Sequence, residues 1–235
     1  MHRGRRLDVE HIDLYQLHSW DQLTPIQESL GFLEDAVRAG KISYGGVSNF
    51  TGWQITKAAA WAARRFRLVS MQPQYNLLVR EVEWEVLPAS EDAGLGILPW
   101  SPLNGGWLTG KNIRDSAPGG TSRLADNPDA DGAESYRRRS GLPRTWRVLE
   151  ALEVVAGQRG VTKARVALAW VHQQPNISSV ILGARSAGQL RDNLGAVELT
   201  LDANELEHLD TASNPEAADY PYGSIGIDAR TRIIV

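Results

Sequence analysis

The stretch that decides the fold is IDLYQLH, at residues 12–18. It is an apolar run rich in β-forming residues, and it ends on a titratable ring, that of His18. A short apolar run of this kind predicts a buried strand. The histidine at its end is either a routine strand-end residue or a sign that the strand opens into an active site.

Four further strand-like runs follow, and helical patterns separate them. The runs lie at 42–49, 68–76, 96–103 and 178–184, so the first four starts are roughly 26–30 residues apart, the size of a strand-plus-helix unit. Strands that alternate with helices indicate parallel pairing with right-handed crossovers. The fold class is therefore α/β, and both a doubly wound sheet and a β/α barrel satisfy the pattern.

The first helix carries the clearest boundary signals. We predict Thr24 as its N-cap, Pro25 as its first residue and Gln27 as the partner in a capping box, with Gly40 after its last turn. A helix after the last strand is predicted from an apolar repeat at Leu190, Leu194 and Val197.

Composition predicts one soluble, cytoplasmic domain over residues 1–235. The chain is 42% hydrophobic and 23% charged, and it contains no cysteine, which excludes disulfides and thiolate metal sites. A formal charge of −3 lacks the excess of basic residues that general nucleic-acid binding requires. The basic N-terminus is followed by a short, acid-containing stretch that predicts neither a signal peptide nor a membrane anchor.

Polar residues gather where the predicted strands end, at His18, Ser48, Gln72 and Trp100. Both candidate architectures place ligands at this edge of the sheet. Residues 111–144 are different, because they are rich in Gly, Asp, Arg and Pro without periodicity. We interpret them as a functional lid or as a disordered segment.

Five motifs in order carry a family resemblance. They read IDLYQLHSWD, GKISYGGVSNF, MQPQYNLL, ILPWSPLNGGWLTGK and ILGARSAGQLRDNLGA. Together they resemble the aldo-keto reductase family, and most closely its bacterial and potassium-channel-β-subunit-like branch. The resemblance covers nearly the whole chain, from about residue 6 to the YPYG at 220–223.

The resemblance implies an NADP(H)-dependent oxidoreductase that reduces aldehydes and ketones to alcohols by hydride transfer. The implied fold is a (β/α)₈ TIM barrel, and the implied catalytic tetrad is Asp, Tyr, Lys and His, with Tyr as general acid. Only the histidine is matched here, by His18, because the chain starts where the family's fourth strand is about to begin. We therefore expect an incomplete, N-terminally truncated barrel of about five β/α units, the family's fourth to eighth.

Such a chain is expected to be nearly inactive alone, because a general acid contributes about 10²–10⁴-fold. Its open strand edges favour aggregation, a partner or a homo-oligomer. One alternative is a non-catalytic remnant that binds NADP(H) or a partner. Another is a different barrel enzyme, a lyase or isomerase that uses His18 with carboxylates.

The resemblance also assigns the nicotinamide side of the site. His18 would hydrogen-bond the carbonyl of a small-molecule substrate. Ser48, Asn49 and Gln72 would hold the nicotinamide carboxamide, and Trp100 would lie against the ring. The simpler interpretations are a turn and helix cap for Ser48 and Asn49, and a core position for Trp100.

The remaining motifs would bind the phosphates and the adenosine. The loop that would wrap the pyrophosphate contains Ser101, Leu103, Asn104, Gly105 and Lys111. Gly183 and Arg185 precede a helix, where Arg185 would grip a 2′-phosphate and select NADP(H) over NAD(H). The implied adenine and ribose contacts are Gln189, Asp192 and Asn193, which otherwise belong to an ordinary surface helix.

Overall fold

Four parallel strands form one sheet in the computed structural model, which describes residues 8–114, 133–223 and 226 (for 133–135, the backbone alone). The strands are β1 (Ile12–Leu17), β2 (Ile42–Ser48), β3 (Leu68–Gln72) and β4 (Gly96–Ile97), in the order β1-β2-β3-β4. The α/β prediction and the first four strand positions are confirmed. The third and fourth strands are shorter than the predicted runs.

The predicted fifth strand, residues 178–184, is not a regular strand. The segment does run beside β4, because Ser178 N donates to Ile97 O at 2.9 Å and Ile181 N donates to Pro99 O at 2.9 Å. Pro99, however, has no N–H to donate back, so a continuous ladder cannot form. The prediction of a strand here is wrong, although its predicted place beside β4 is correct.

Helices follow each of the strands and then dominate the second half of the chain. They are α1 (Ile26–Arg38), α2 (Gly52–Ala62), α3 (Val86–Asp92), α4 (Ala133–Ser140), α5 (Pro143–Arg159), α6 (Lys163–His172), α7 (Ala187–Leu194) and α8 (Ala203–Ser213). Short 3₁₀ helices cover Glu81–Glu83, Asn104–Thr109 and Gly195–Glu198. Among the described residues, none of the helices combines the length and the hydropathy that a bilayer span requires.

The start of α1 differs from its prediction. The Thr24 hydroxyl donates to Asp21 Oδ2 at 2.6 Å, and Pro25, rather than Thr24, occupies the N-cap position in an extended conformation. The predicted capping box with Gln27 is therefore wrong, because Asp21 engages the Thr24 hydroxyl. The end of the helix is as predicted, since Gly40 follows the last turn with a left-handed φ of 66°.

Two hydrophobic cores hold the chain together. The first lies between the sheet and helices α1 and α2, and its fully buried members include Leu30, Leu33, Val47 and Ile55. The second lies among α5, α6, α8 and the loops that follow β3 and β4. Its fully buried members include Tyr75, Leu78, Leu108, Leu152 and Trp170. Ile177 packs against both cores.

Part of the predicted apolar surface is not covered by the described part of the chain. β1 is an edge strand of the sheet. On and just after α7, Leu190, Leu194 and Val197 are 42%, 51% and 64% exposed, so the predicted helix forms but its apolar repeat lies at the surface.

The start of α8 is stabilised by an ion pair that responds to pH. Arg159 donates two hydrogen bonds of 2.6 Å to the Glu205 carboxylate, and Asp202 N donates to Glu205 Oε2 at 2.8 Å. The hydrogen bond from Arg159 is the main reason that the pKa of Glu205 is lowered. A lowered carboxylate pKa adds stability above its unfolded value of about 4.3, and that stability is lost as pH falls through the folded pKa.

We therefore expect Glu205→Gln to be less stable than the parent chain at pH 7 and to approach it below about pH 4. The measurement is the urea midpoint of both chains between pH 3 and pH 7. Glu207→Gln, an exposed position on the same helix, is the matched control and should change little at either end of the range. A Glu205→Gln deficit that stays constant with pH would contradict the expectation.

Candidate nucleotide and carbonyl site

Asn49 ties together the ends of the four strands β1 to β4. Asn49 Nδ2 donates to the His18 backbone oxygen at 2.9 Å, and Trp100 Nε1 donates to Asn49 Oδ1 at 2.9 Å. Asn49 N also donates to Gln72 O at 3.2 Å, and its left-handed φ of 58° turns the chain toward its neighbours. The structure thus brings His18, Asn49, Gln72 and Trp100 to one edge of the sheet, as the sequence predicted.

His18 follows directly after β1 and is exposed at that edge. Its backbone oxygen is held by Asn49, so the position of the residue is fixed while the ring stays accessible. Asn49 itself uses both ends of its carboxamide on protein groups. In this arrangement Asn49 orients His18 and Trp100, and its assignment as a nicotinamide contact stays a prediction.

A second cluster lies on the face of the sheet opposite the first hydrophobic core, because its residues alternate along the strands with those of that core. The Ser48 hydroxyl is buried and donates to Gln72 O at 2.7 Å. Gln72 Nε2 donates to Gln16 Oε1 at 2.7 Å, and Gln16 Nε2 donates to Ser70 Oγ at 3.1 Å. Gln16 was not predicted as a site residue. Its signal was a polar residue inside an apolar strand, two positions before His18 and hence on the same face.

The loop after β4 adopts a row of left-handed conformations. The φ angles are 52° at Ser101, 49° at Asn104, 64° at Gly105 and 93° at Gly106. Such angles are unfavourable for side chains other than glycine, so Ser101 and Asn104 need support. Leu103, between them, is half-buried and packs against the second core.

Asn76, which the sequence did not single out, supplies that support. It is fully buried, and its Nδ2 donates to Ser101 O at 2.9 Å. Its Oδ1 accepts from Asn104 Nδ2 at 3.2 Å and from Leu78 N at 2.9 Å. Asn76 therefore fixes the loop that the resemblance assigns to the pyrophosphate. The sequence signal was its place in MQPQYNLL, which by itself gives no contact.

Lys111, just after this loop, is influenced by the charge of Arg185, which comes from a distant part of the sequence. Partial burial lowers the pKa of Lys111 first, and the positive charge of Arg185 lowers it further. The Lys111 ammonium lies 2.9 Å from the point that a Cβ atom at Gly106 would occupy. An anion bound near either cation would be stabilised by its charge.

The segment that contains Gly183 and Arg185 leads into α7. Gly183 and Gln189 are exposed, and Arg185 N donates to Gln189 Oε1 at 2.9 Å. Asp192 points toward α6 instead, where it accepts from the Thr162 hydroxyl at 2.6 Å and from Arg165 at 3.0 Å.

Asn193 is buried, with an exposed fraction of 6%. The three predicted adenosine contacts, Gln189, Asp192 and Asn193, therefore have different surroundings, and their roles stay predictions. The carboxylate of Asp192 already has a structural function in joining two helices.

Comparison with known proteins identifies the family. The sequence profile of the Aldo/keto reductase family matches residues 3–214. The chain is 42% identical over 207 residues to "Uncharacterized oxidoreductase YrpG" of Bacillus subtilis. This match covers 87% of the chain and 59% of that protein. It is 36% identical over 200 residues to "Probable voltage-gated potassium channel subunit beta" of Arabidopsis thaliana, covering 83% and 59%.

A third relative is a plant protein. The chain is 32% identical over 205 residues to "Probable aldo-keto reductase 1" of Glycine max, a match that covers 87% of this chain and 56% of that protein. The chain thus spans less than two thirds of the length of these curated relatives. The family match nevertheless includes every strand of the sheet and every strand-end residue of the site. The chain belongs to the aldo/keto reductase family, whose members in these comparisons include oxidoreductases.

Proposed function

We propose that this chain forms the nucleotide-binding side of an NADP(H)-dependent oxidoreductase that reduces an aldehyde or ketone by hydride transfer. The observation that carries the proposal is the hydrogen-bonded chain from Trp100 through Asn49 to His18. It places an aromatic ring and an exposed imidazole at one edge of the sheet. An oxidoreductase of this kind needs a flat surface for the nicotinamide and a polar group for the carbonyl at the same place.

The residues present fit such a cofactor. Gln72 offers a carboxamide that complements the nicotinamide amide, and Trp100 offers an aromatic face. The Ser48 hydroxyl already donates to Gln72 O, so only its oxygen is left, as an acceptor. Lys111 and Arg185 supply two positive charges for phosphates. When bound, the cofactor would supply or accept the hydride.

His18 would bind and polarise the substrate carbonyl. A neutral imidazole can donate one hydrogen bond to a carbonyl oxygen, and Asn49 holds the residue in place through its backbone. His18 is the one member of the family's tetrad that the motifs of this sequence match. We therefore propose that the polypeptide of this sequence, taken alone, is a weak reductase.

We further propose a small carbonyl compound as the substrate and the cytoplasm as the location. The second proposal is supported by the absence of cysteine from the 235 residues, which suits a reducing compartment.

A second candidate is a subunit that binds NADP(H) and a partner without turnover. One observation favours it: 36% identity to the Arabidopsis protein whose name describes a channel subunit. Tight nucleotide binding with no reduction of any aldehyde, even in a chain completed from a relative, would select this candidate over the reductase.

Calorimetric titration with NADPH and NADH tests the nucleotide assignment. We expect NADPH to bind at least about tenfold more tightly, because a charge-assisted hydrogen bond to a 2′-phosphate contributes about 1.5–3 kcal/mol. Arg185→Gln should remove most of this preference and leave NADH binding unchanged. Arg191→Gln is the control, because Arg191 is an exposed arginine of α7, the helix that follows Arg185. Failure of the parent chain to bind either nucleotide would overturn the proposed function.

A further inference from the structure

We propose that Gln16 is a positioning residue that fixes the carboxamide of Gln72, so that the site selects a nicotinamide able to donate a hydrogen bond. The inference rests on the proposed function and deepens it. It assigns a role to a residue inside the sheet that is not expected to touch the cofactor itself.

The contact between the two glutamines crosses an intervening strand. Gln16 lies on β1, and Ser70 and Gln72 lie on β3, while β2 runs between them. Gln16 Oε1 accepts from Gln72 Nε2 at 2.7 Å, and Gln16 Nε2 donates to Ser70 Oγ at 3.1 Å. Neighbouring strands are about 4.8 Å apart, so the side chains must reach across two strand spacings above β2.

Gly46 makes this crossing possible. It is the residue of β2 that pairs with Gln16 on one side and with Ser70 on the other. A Cβ atom at Gly46 would lie 2.3 Å from Ser70 Oγ and 2.8 Å from Gln16 Cγ. No side chain larger than hydrogen fits there while the glutamine contact exists. The glycine is therefore a spatial requirement of the Gln16–Gln72 pair.

The pairing decides which end of the Gln72 carboxamide remains for a ligand. Its Nε2 is used by Gln16, while its Oε1 accepts no hydrogen bond from the residues that the structure describes. An oxygen in this position complements a donor, and the nicotinamide carboxamide offers one in its NH₂ group. Gln16 thus makes Gln72 an acceptor toward the cofactor.

The opposite orientation of both carboxamides, with the oxygen and nitrogen of Gln16 and of Gln72 exchanged, would also be satisfied, because the Ser70 hydroxyl can either accept or donate. Gln16→Glu removes that choice, since a carboxylate can only accept and must face Gln72 Nε2. Gln16→Leu removes the constraint altogether and frees the Gln72 carboxamide to rotate. The two variants therefore separate the hydrogen-bond role of Gln16 from its volume.

The test compares the affinities of NADP⁺ and of its 3-acetylpyridine analogue, which keeps the carbonyl but carries a methyl group instead of NH₂. For the parent chain and for Gln16→Glu we expect NADP⁺ to bind about threefold to tenfold more tightly than the analogue. For Gln16→Leu and Gly46→Ala the ratio should fall toward one. Gln27→Leu, at an exposed position of α1, should leave the ratio unchanged.

A ratio is used because general damage to the fold would weaken both ligands together. The inference is overturned if Gln16→Leu keeps the parent's ratio, if Gln16→Glu loses it, or if the parent binds both ligands equally. Those outcomes leave the proposed function intact. Only a parent chain that binds neither NADP⁺ nor NADPH would overturn the proposed function itself.

Discussion

Replacing Arg80 by leucine is expected to lower the free energy of unfolding by about 3 kcal/mol, a large share of the 5–15 kcal/mol that domains usually have. Arg80 lies in the loop after β3, and its side chain is 12% exposed. It makes a two-point contact with Glu83, at 2.7 and 2.9 Å. The same guanidinium lies over the ring of Trp170, 5.1 Å from its centroid.

The guanidinium also joins the loop to α8. It donates to Ser213 Oγ at 2.9 Å and to the backbone oxygen of Asp210 at 3.1 Å, and it pairs with Asp210 Oδ1 at 3.0 Å. Burial opposes the charged form, but the hydrogen bonds and charge of Glu83, with that of Asp210, outweigh it and raise the pKa of Arg80. The cation is thus retained inside the fold.

Removing one partner of such a group is costly, because the others remain without their counter-charge. Breaking a buried ion pair costs about 3–5 kcal/mol, and the lower end applies here because Asp210 is 42% exposed and can regain water. Arg80→Lys should lie between the parent and Arg80→Leu, since an ammonium keeps the charge but loses the planar fork.

The urea midpoint at constant slope measures the effect. Arg147→Leu is the matched control, because Arg147 pairs with Glu216 at 3.6 Å and the two side chains are 48% and 88% exposed. An exposed pair of this kind contributes at most about 1 kcal/mol. Equal midpoints for Arg80→Leu and Arg147→Leu would show that the network around Arg80 does not stabilise the fold.

The sequence was informative wherever one local pattern determined the outcome. Hydrophobic runs of strand length at regular spacing placed β1 to β4, because buried parallel strands have little freedom in composition. The polar residues at their ends met at one edge, because parallel strands all end on the same side of a sheet. Gly40 ended α1, because a left-handed residue there favours glycine.

The failures came from contacts between residues that a local pattern cannot pair. Asp21 engaged the hydroxyl of Thr24, so the helix began one residue later than the cap signal indicated. Pro99 removed one donor and prevented the last strand from becoming regular. Asp192 turned toward Arg165 on α6, a partner outside its own motif.

Sequence analysis missed two residues of the site for the same physical reason. Gln16 contacts side chains two strands away and Asn76 contacts a distant loop, so no local motif marks their function. Their common signal is a polar residue within an otherwise apolar stretch of sequence, whose side chain needs a hydrogen-bond partner where it is withdrawn from water. The partners became identifiable only when the strands were placed side by side.

The second large effect concerns activity, and it follows from the proposed function. We expect the polypeptide of this sequence alone to reduce benzaldehyde with NADPH about 10²–10⁴-fold more slowly than a chimera. The chimera would join it to the part of the Bacillus subtilis relative that lies outside the 207 matched residues, since the match covers 59% of that protein. The resemblance implies that Tyr, Lys and Asp of the tetrad lie outside the matched motifs.

The expectation rests on the general acid, which the resemblance assigns to a tyrosine outside the matched motifs. Hydride transfer to a carbonyl carbon leaves negative charge on its oxygen, and a general acid is needed to neutralise that charge. His18 can polarise the carbonyl as a hydrogen-bond donor, but a neutral imidazole is a poor proton source for an alkoxide compared with a tyrosine activated by a neighbouring lysine. Binding and hydride donation without proton transfer give a slow reaction.

Two measurements make the expectation specific. Calorimetry on the polypeptide of this sequence should show NADPH binding, which separates a chain that lacks a general acid from a chain that does not fold. Within the chimera, His18→Phe should lose at least about 10²-fold in kcat, as removal of a single donor to a developing oxyanion does. If the polypeptide alone matched the chimera in rate, a general acid would have to exist among its own residues, and the role assigned to His18 would need to change.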